Sequence, residues 1–408
     1  MEKDYAEIVI IGGGAVGCGV AYSLAQAGRT DVLLIEREPT VAAATTSQAA
    51  GLVGQVRNSV ERTKLAMWSV ETFSQLQEDA ETSAGWRQVG SLRIALCDER
   101  VEEFKHMKNI ADQSGLEVEF IDNKTAQSKW PGMDFEQVKA VLWCPSDGYL
   151  QPSDLTMAYV ACARRRGVRF QTNSLVQSVL IKDSRVTGVL TDRGIVHCDT
   201  VINAAGAHAY QIANSIGVEL PIVPVRHEFF VTITAKGVEP GLPVIRIPDS
   251  TLYLRAETNA LLCGGWEPKG LSFDPRSVAL ETDVPVIKDD WEVLGKFAEQ
   301  LAPQFPQVNQ LGVRSIFKGW PTFTPDGRFI IGESNRVGGF VMAGGCNAHG
   351  VSGSAGIGRH VVESMLDPNP SPYVQSLSPN RFTDETWNWD IACAQAQNIY
   401  QSYYDLGH

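Results

Sequence analysis

The stretch Ile8-Val9-Ile10-Ile11-Gly12-Gly13-Gly14-Ala15-Val16-Gly17 leads through a helix to about Ala27 and into Val32-Leu33-Leu34-Ile35-Glu36. An apolar run, a glycine turn, a helix and a second apolar run ending on an acid form the unit that holds a dinucleotide, and each part has its own task. Gly12 makes the tight turn, Gly14 lets the backbone approach a pyrophosphate, and Gly17 lets the helix lie close on the strand. The N–H groups of Ala15 and Val16, with the positive end of the helix, face the phosphates. Glu36, about 20 residues on, is placed to accept hydrogen bonds from a ribose. A glycine triplet alone is an ordinary turn; the strand, helix and acid around it make the reading.

Outward from this unit the bulk properties set limits. The chain has 408 residues, 44% hydrophobic and 20% charged, and predicts a globular protein of two interwoven domains. A net charge of −12 argues against nucleic acid or an anionic membrane surface as partner. Arg164-Arg165-Arg166 fits the last turn of a helix from Ser153, where cations suit the dipole. No apolar run reaches membrane-spanning length, and the polar residues 1–7 carry no secretory or transit pattern. The eight cysteines are scattered without a C-x-x-C pair, so reduced thiols, a cytoplasmic location and no metal site are expected.

Strands are expected at 90–97, 117–121, 174–181, 185–191 and 195–203, then at 226–234, 244–247, 251–256 and 260–265. Helices are expected at 60–78, 99–114, from Ser153, and near 386–404. One more carries Trp291, Leu294, Phe297 and Leu301 on a single stripe. The expected fold class is α/β. A Rossmann-like nucleotide domain (1–80, 150–215 and 325–370) is interleaved with an antiparallel-sheet substrate domain (81–149 and 216–324), and 371–408 form a C-terminal arm. Ala42 to Leu52 is small and polar, and lets backbone lie close to a flat ligand. A second glycine turn, Gly344-Gly345-Cys346-Asn347-Ala348-His349-Gly350-Val351-Ser352-Gly353, again follows a strand and precedes a helix. One reading is a plain β–α loop. The other is a set of N–H groups facing the edge of a flavin where negative charge develops on reduction.

In this order the motifs resemble the D-amino-acid oxidase superfamily of FAD amine oxidoreductases, closest to its sarcosine and dimethylglycine oxidases and dehydrogenases. The marks are Ile10 to Gly17, Glu36-Arg37, Thr45 to Leu52, Asp147-Gly148 with Pro152, and Asn203 to Ala207. Pro224 to Phe229, Tyr253-Leu254-Arg255, Gly264 to Glu267, Thr324-Pro325-Asp326 and Gly345 to Gly350 continue them. The resemblance implies FAD held by Gly12, Gly14, Ala15, Val16, Gly17, Glu36, Arg37, Thr45, Thr46, Gln48, Ala50, Gly51, Leu52, Val176 and Gly206. It adds Gly345, Asn347, Ala348, His349, Gly350 and Val351 from the second turn. The larger relatives link the flavin to a His before Ala-Ala-Gly-Leu; Gln48 stands there, so non-covalent FAD is expected. Cys346 lies near the second turn but does not match the linking Cys of the small sarcosine oxidases.

The implied reaction moves hydride from an N–CH carbon to the flavin and hydrolyses the iminium, an oxidative N-demethylation. His227 is implied as base or proton relay and Tyr253 as its neighbour. Tyr253 and Arg255 share a strand face, so Arg255 is expected to hold a substrate carboxylate; the alternative is a solvated arginine on an open face. Arg57 stands where a carboxylate-binding Arg is used, or is a surface residue. Ser352 replaces the family's second carboxylate-binding Lys. Trp266 and Trp320 form an aromatic cage for the amine or belong to the core. Two other functions remain open: oxidation of a D-amino acid, glycine or 2-hydroxy acid, and a flavin-bearing assembly or electron-relay subunit. The electron acceptor is O₂ or an electron-transfer protein, and a larger complex is possible. Arg381-Phe382, Trp387 and Asn398 to Tyr404 resemble the lead into a folate-binding half. With the chain stopping at His408, that half is expected to be absent, and formaldehyde to be handled elsewhere.

Overall fold

A computed structural model describes residues 5–79, 81–382 and 388–406. Trp387, the start of the expected tail helix and His408 lie outside them. Two sheets organise the chain. The first has six strands in the order Ile330–Glu333, Phe340–Gly344, Thr200–Asn203, Ile8–Ile11, Val32–Ile35, Arg169–Gln171. Its strands are parallel apart from Ile330–Glu333. Ile8–Ile11 and Val32–Ile35 are buried throughout, as their unbroken apolar runs require of strands covered on both faces. Helices Ala15–Gln26, Pro152–Arg165 and Ser354–Leu366 supply one cover, and the meander Val176–Lys182, Arg185–Thr191, Gly194–His197 lies over the other. The first strand has sequence-later neighbours on both sides, so a switch point lies at its carboxyl end, where such sheets bind ligands.

The second sheet has eight strands: Val313–Gly319, His227–Thr234, Ala260–Gly265, Leu252–Glu257, Val244–Ile247, Ser91–Ala95, Ala140–Cys144, Glu119–Ile121. Two separate chain segments build it, and they meet at one parallel pair, Val244 with Ser91; every other pair is antiparallel. Helix Trp291–Leu301 packs beneath it through Leu294, Phe297 and Leu301, each buried side chain contributing about 1.5–3 kcal/mol. Trp291, expected on the same stripe, is 60% exposed because it sits in the first turn, beyond the edge of the contact. The run expected as one strand at 195–203 is two. Gly194–His197 belongs to the meander and Thr200–Asn203 to the parallel sheet, so the chain changes layers at Cys198-Asp199. The tail forms helix Trp389–Gln401, whose Trp389, Ala396 and Tyr400 pack on Val223, Val225 and Phe323. Among the described residues no helix is long and apolar enough to cross a membrane.

Candidate active site

Two adjoining cavities run between the sheets. One opens at the carboxyl ends of the first strands and is lined by Gly12, Glu36, Arg37, Val176 and Ala205 to His208. The other lies between the glycine loops and the second sheet and is lined by Ala15, Val16, Ala50 to Leu52, His227 and Tyr253. They share Gly14, Thr45, Thr46, Gln48, Gly206 and Trp320, and form one continuous slot.

The slot suits an extended dinucleotide. Glycine at the N-cap leaves helix Ala15–Gln26 without a side-chain cap, and the Ala15 N–H donates to Thr46 Oγ1 at 3.0 Å. Glu36 sits at the far end, accepting from the N–H groups of Gly13 at 2.6 Å and Glu38 at 2.8 Å. Burial pushes its pKa up, and those two donors work against that rise. In the second glycine turn, Gly350 and Val351 line the cavity, and their N–H groups take no partner among the described residues. Half-buried and facing the cavity, these donors are free to meet an acceptor such as a bound flavin edge.

Three expected cofactor residues act from behind the wall. Gly17 packs the helix on the Gly12 backbone. Gly345 turns the chain at φ +59°. Asn347 braces the turn, its Nδ2 donating to Gly345 O at 2.7 Å and its Oδ1 accepting from the Thr324 N–H at 3.1 Å. Ala348 and His349 line the cavity. So does Cys346, whose thiol burial pushes up to about 12, leaving it protonated at neutral pH.

The second sheet supplies a hydrogen-bonded line. His227 Nε2 lies 2.7 Å from Tyr253 Oη, and its Nδ1 lies 3.3 Å from Tyr400 Oη. Tyr400 donates in turn to Glu267 Oε1 at 3.4 Å, and Glu267 is paired with Arg226. The acceptor at the far end orders the rest. Tyr400 gives its proton to Glu267 and accepts from His227 Nδ1–H, so Nε2 accepts from Tyr253. Burial lowers His227 to about 4, so the ring is neutral. Tyr253 keeps oxygen lone pairs toward the cavity.

Tyr253 reaches His227 only because of Gly264. In register, Tyr253 opposes Gly264, which opposes Phe229 on the next strand. A Cβ on Gly264 would overlap the Tyr253 hydroxyl and ring and the Phe229 Cβ. A glycine inside a buried strand is the sequence signal for such a close approach. Gly264→Ala is therefore expected to break the Tyr253–His227 contact and slow flavin reduction about 100-fold, with FAD retained. Rapid-mixing reduction measured beside the flavin content checks this, and an unchanged rate would remove Gly264 from the role.

Arg255 does not reach the cavity. Its Nε donates to Ala50 O at 2.7 Å, its Nη1 pairs with Glu257 at 2.7 Å, and its guanidinium lies 4.7 Å from the Tyr149 ring centroid. Alternation along the strand puts it on the Tyr253 face, but the loop at Ala50 closes over that position, so Arg255 props the loop. Arg246, directly opposite Tyr253 on the neighbouring strand, lines the cavity instead, with Arg57. Trp320 also lines it, its Nε1 donating to Pro285 O at 2.7 Å. Trp266 stacks on Tyr403 at 3.7 Å between centroids, so the tail closes the cavity.

The chain is 31% identical over 384 residues to 4-methylaminobutanoate oxidase (formaldehyde-forming) of Paenarthrobacter nicotinovorans, covering 93% of this chain and 46% of that protein. It is 30% identical to the mitochondrial dimethylglycine dehydrogenase of Rattus norvegicus, covering 93% and 45%. The chain thus spans less than half the length of these curated relatives. The solved L-proline dehydrogenase of P. horikoshii superposes with a TM-score of 0.84 at 25% identity, over 94% of this chain and 99% of that one. Residues 7–364 match the family described as FAD dependent oxidoreductase. The slot, the two glycine turns and this match together place the chain in the FAD dependent oxidoreductase (DAO) family, with FAD as its cofactor.

Proposed function

We propose that this protein oxidises an N-methylated amino acid, a secondary or tertiary amine, to an iminium that water hydrolyses to formaldehyde and the shorter amine. The observation that carries this reading is the line Tyr253–His227–Tyr400–Glu267, open to the cavity at its Tyr253 end. An amine gives up hydride only when its nitrogen is unprotonated. Tyr253 accepts the ammonium proton while passing its own to neutral His227, which hands its Nδ1 proton to Tyr400 and so toward Glu267. Arg57 and Arg246 hold the carboxylate, and Trp266 with Trp320 bounds the methylated nitrogen. FAD, held non-covalently, supplies the hydride acceptor at N5. O₂ or an electron-transfer protein then takes the electrons.

Anaerobic addition of sarcosine, dimethylglycine and longer N-methyl amino acids is expected to bleach the flavin, with formaldehyde released in step. If only D-amino acids, glycine or 2-hydroxy acids bleach it, the demethylation reading falls. If no amine does, the reading as a flavin-bearing assembly or relay subunit takes its place.

A further inference from the structure

A third cavity lies beyond the candidate active site and shares Arg57, His349 and Tyr403 with it. The wall between them is a hydrogen bond: Tyr403 Oη lies 3.1 Å from His349 Nε2. Arg93 lines the far chamber and Arg246 the near one, and the two stand directly opposite each other on neighbouring strands. Like charges in register across a sheet are unfavourable unless something anionic lies between them.

Among the described residues no carboxylate fills that role by an ion pair. Arg57, Arg93 and Arg246 form no ion pair with a described residue. Their polar partners are neutral: Arg57 donates to Val56 O at 3.1 Å and Arg246 to the Tyr404 hydroxyl at 3.1 Å. The nearby acids are engaged elsewhere. Glu103 pairs with Arg100 at 2.7 Å, and Asp147 accepts from the Gln55 N–H, Gln55 Nε2 and Ser91 Oγ. Burial, with repulsion from the other two guanidiniums, lowers Arg57 to about 10; Arg93 is lowered by burial and by Arg246. Arg246 differs: burial works against its charge, but Tyr404, Tyr403 and Asp147 outweigh it and its pKa is raised.

The row runs Arg93, Arg246, Tyr253 across three adjacent strands. Strand spacing puts Arg246 roughly 5 Å and Arg93 roughly 10 Å from the position of the amine-handling tyrosine. A single α-carboxylate engages only the nearer end of that row. We propose that, with Arg57 and Arg246 holding the first carboxylate, Arg93 at the far end of the row forms a subsite for a second carboxylate. The substrate is then a secondary or tertiary amine carrying two carboxylates, of the N-alkyl aspartate or glutamate class. This rests on the amine-oxidation reading of the same cavity.

The test is direct binding to the FAD-loaded protein, followed by calorimetry with two non-oxidisable probes, glutarate and its monocarboxylate match butyrate. Glutarate is expected to bind at least about tenfold more tightly, from the added charge-assisted hydrogen bonds. In Arg93→Gln that preference should shrink to near unity, with butyrate affinity unchanged. Equal binding of the two probes by the unmodified protein overturns the subsite without any need for the variant. A preference that survives in Arg93→Gln overturns it as well. Neither readout uses turnover. A protein that prefers glutarate yet is bleached by no N-methyl compound keeps the subsite and loses demethylation; one bleached by sarcosine without preferring glutarate does the reverse.

Discussion

His227→Ala is expected to slow flavin reduction by about 10²–10⁴-fold while FAD stays bound. The imidazole touches Tyr253 and Tyr400 through its two nitrogens, and its ring lies 4.9 Å from that of Trp266. It lines the cavity on the substrate side and not the one around Glu36. Removing it would cut the proposed proton line in the middle. Tyr253, buried and with its pKa raised well above the ordinary value chiefly by desolvation, cannot take a proton without passing its own on. Stopped-flow reduction with a saturating substrate, beside the flavin-to-protein ratio, reads the two effects separately. An unchanged rate would remove His227 from the relay.

The pH dependence carries a matching expectation. With His227 at about 4 in the fold and near 6.5 when unfolded, the unfolded chain alone binds the proton between those values. Stability therefore rises with pH through that window, and this share is lost as pH falls from about 6.5 toward about 4. His227→Ala should flatten the acid side of the stability curve there. Because the folded ring is neutral above about 4, a rate change near neutral pH reports other groups: the substrate ammonium or Glu228, which burial raises to about 7 beside Arg226.

Gly17→Ala is expected to give a colourless protein. A Cβ at this position would overlap the carbonyl oxygen of Gly12, and the Ala204 side chain stands 3.4 Å away. Backbone cannot turn aside as a side chain can, so helix Ala15–Gln26 must lift from its strand. That costs about 1–3 kcal/mol in packing and pulls the helix N-terminus out of the slot. Stabilisation by bound FAD is then lost as well. Gln48 in place of a linking His leads to the expectation that no covalent bond holds the cofactor, so acid precipitation of the unmodified protein should leave the yellow colour in the supernatant. A coloured pellet, or a Gly17→Ala protein with full flavin content, would overturn the respective statement.

Much of the nucleotide-binding half was legible because its signals are local. The apolar runs at Ile8 and Val32, the spacing of Gly12, Gly14 and Gly17, and the acid at Glu36 all lie within one short segment. Periodicity of two also put Tyr253 and Arg255 on one strand face, and the family resemblance put Tyr253 beside His227. Periodicity could not say how deep a residue on that face lies. Arg255 and Tyr253 share the face, yet a loop from Ala50 covers one and leaves the other open.

What only the tertiary structure decided is which residues stand next to each other across strands and between distant segments. Arg93, Arg246, Tyr253 and Gly264 form one row because four strands from two separate segments meet in a particular register. Tyr400 and Tyr403 join the site from the tail, more than a hundred residues from His227 and Trp266. Sequence by itself determined the alternation along each strand and the turns between them. Register and segment order, which depend on how whole surfaces bury against each other, determined the chemistry of the cavity.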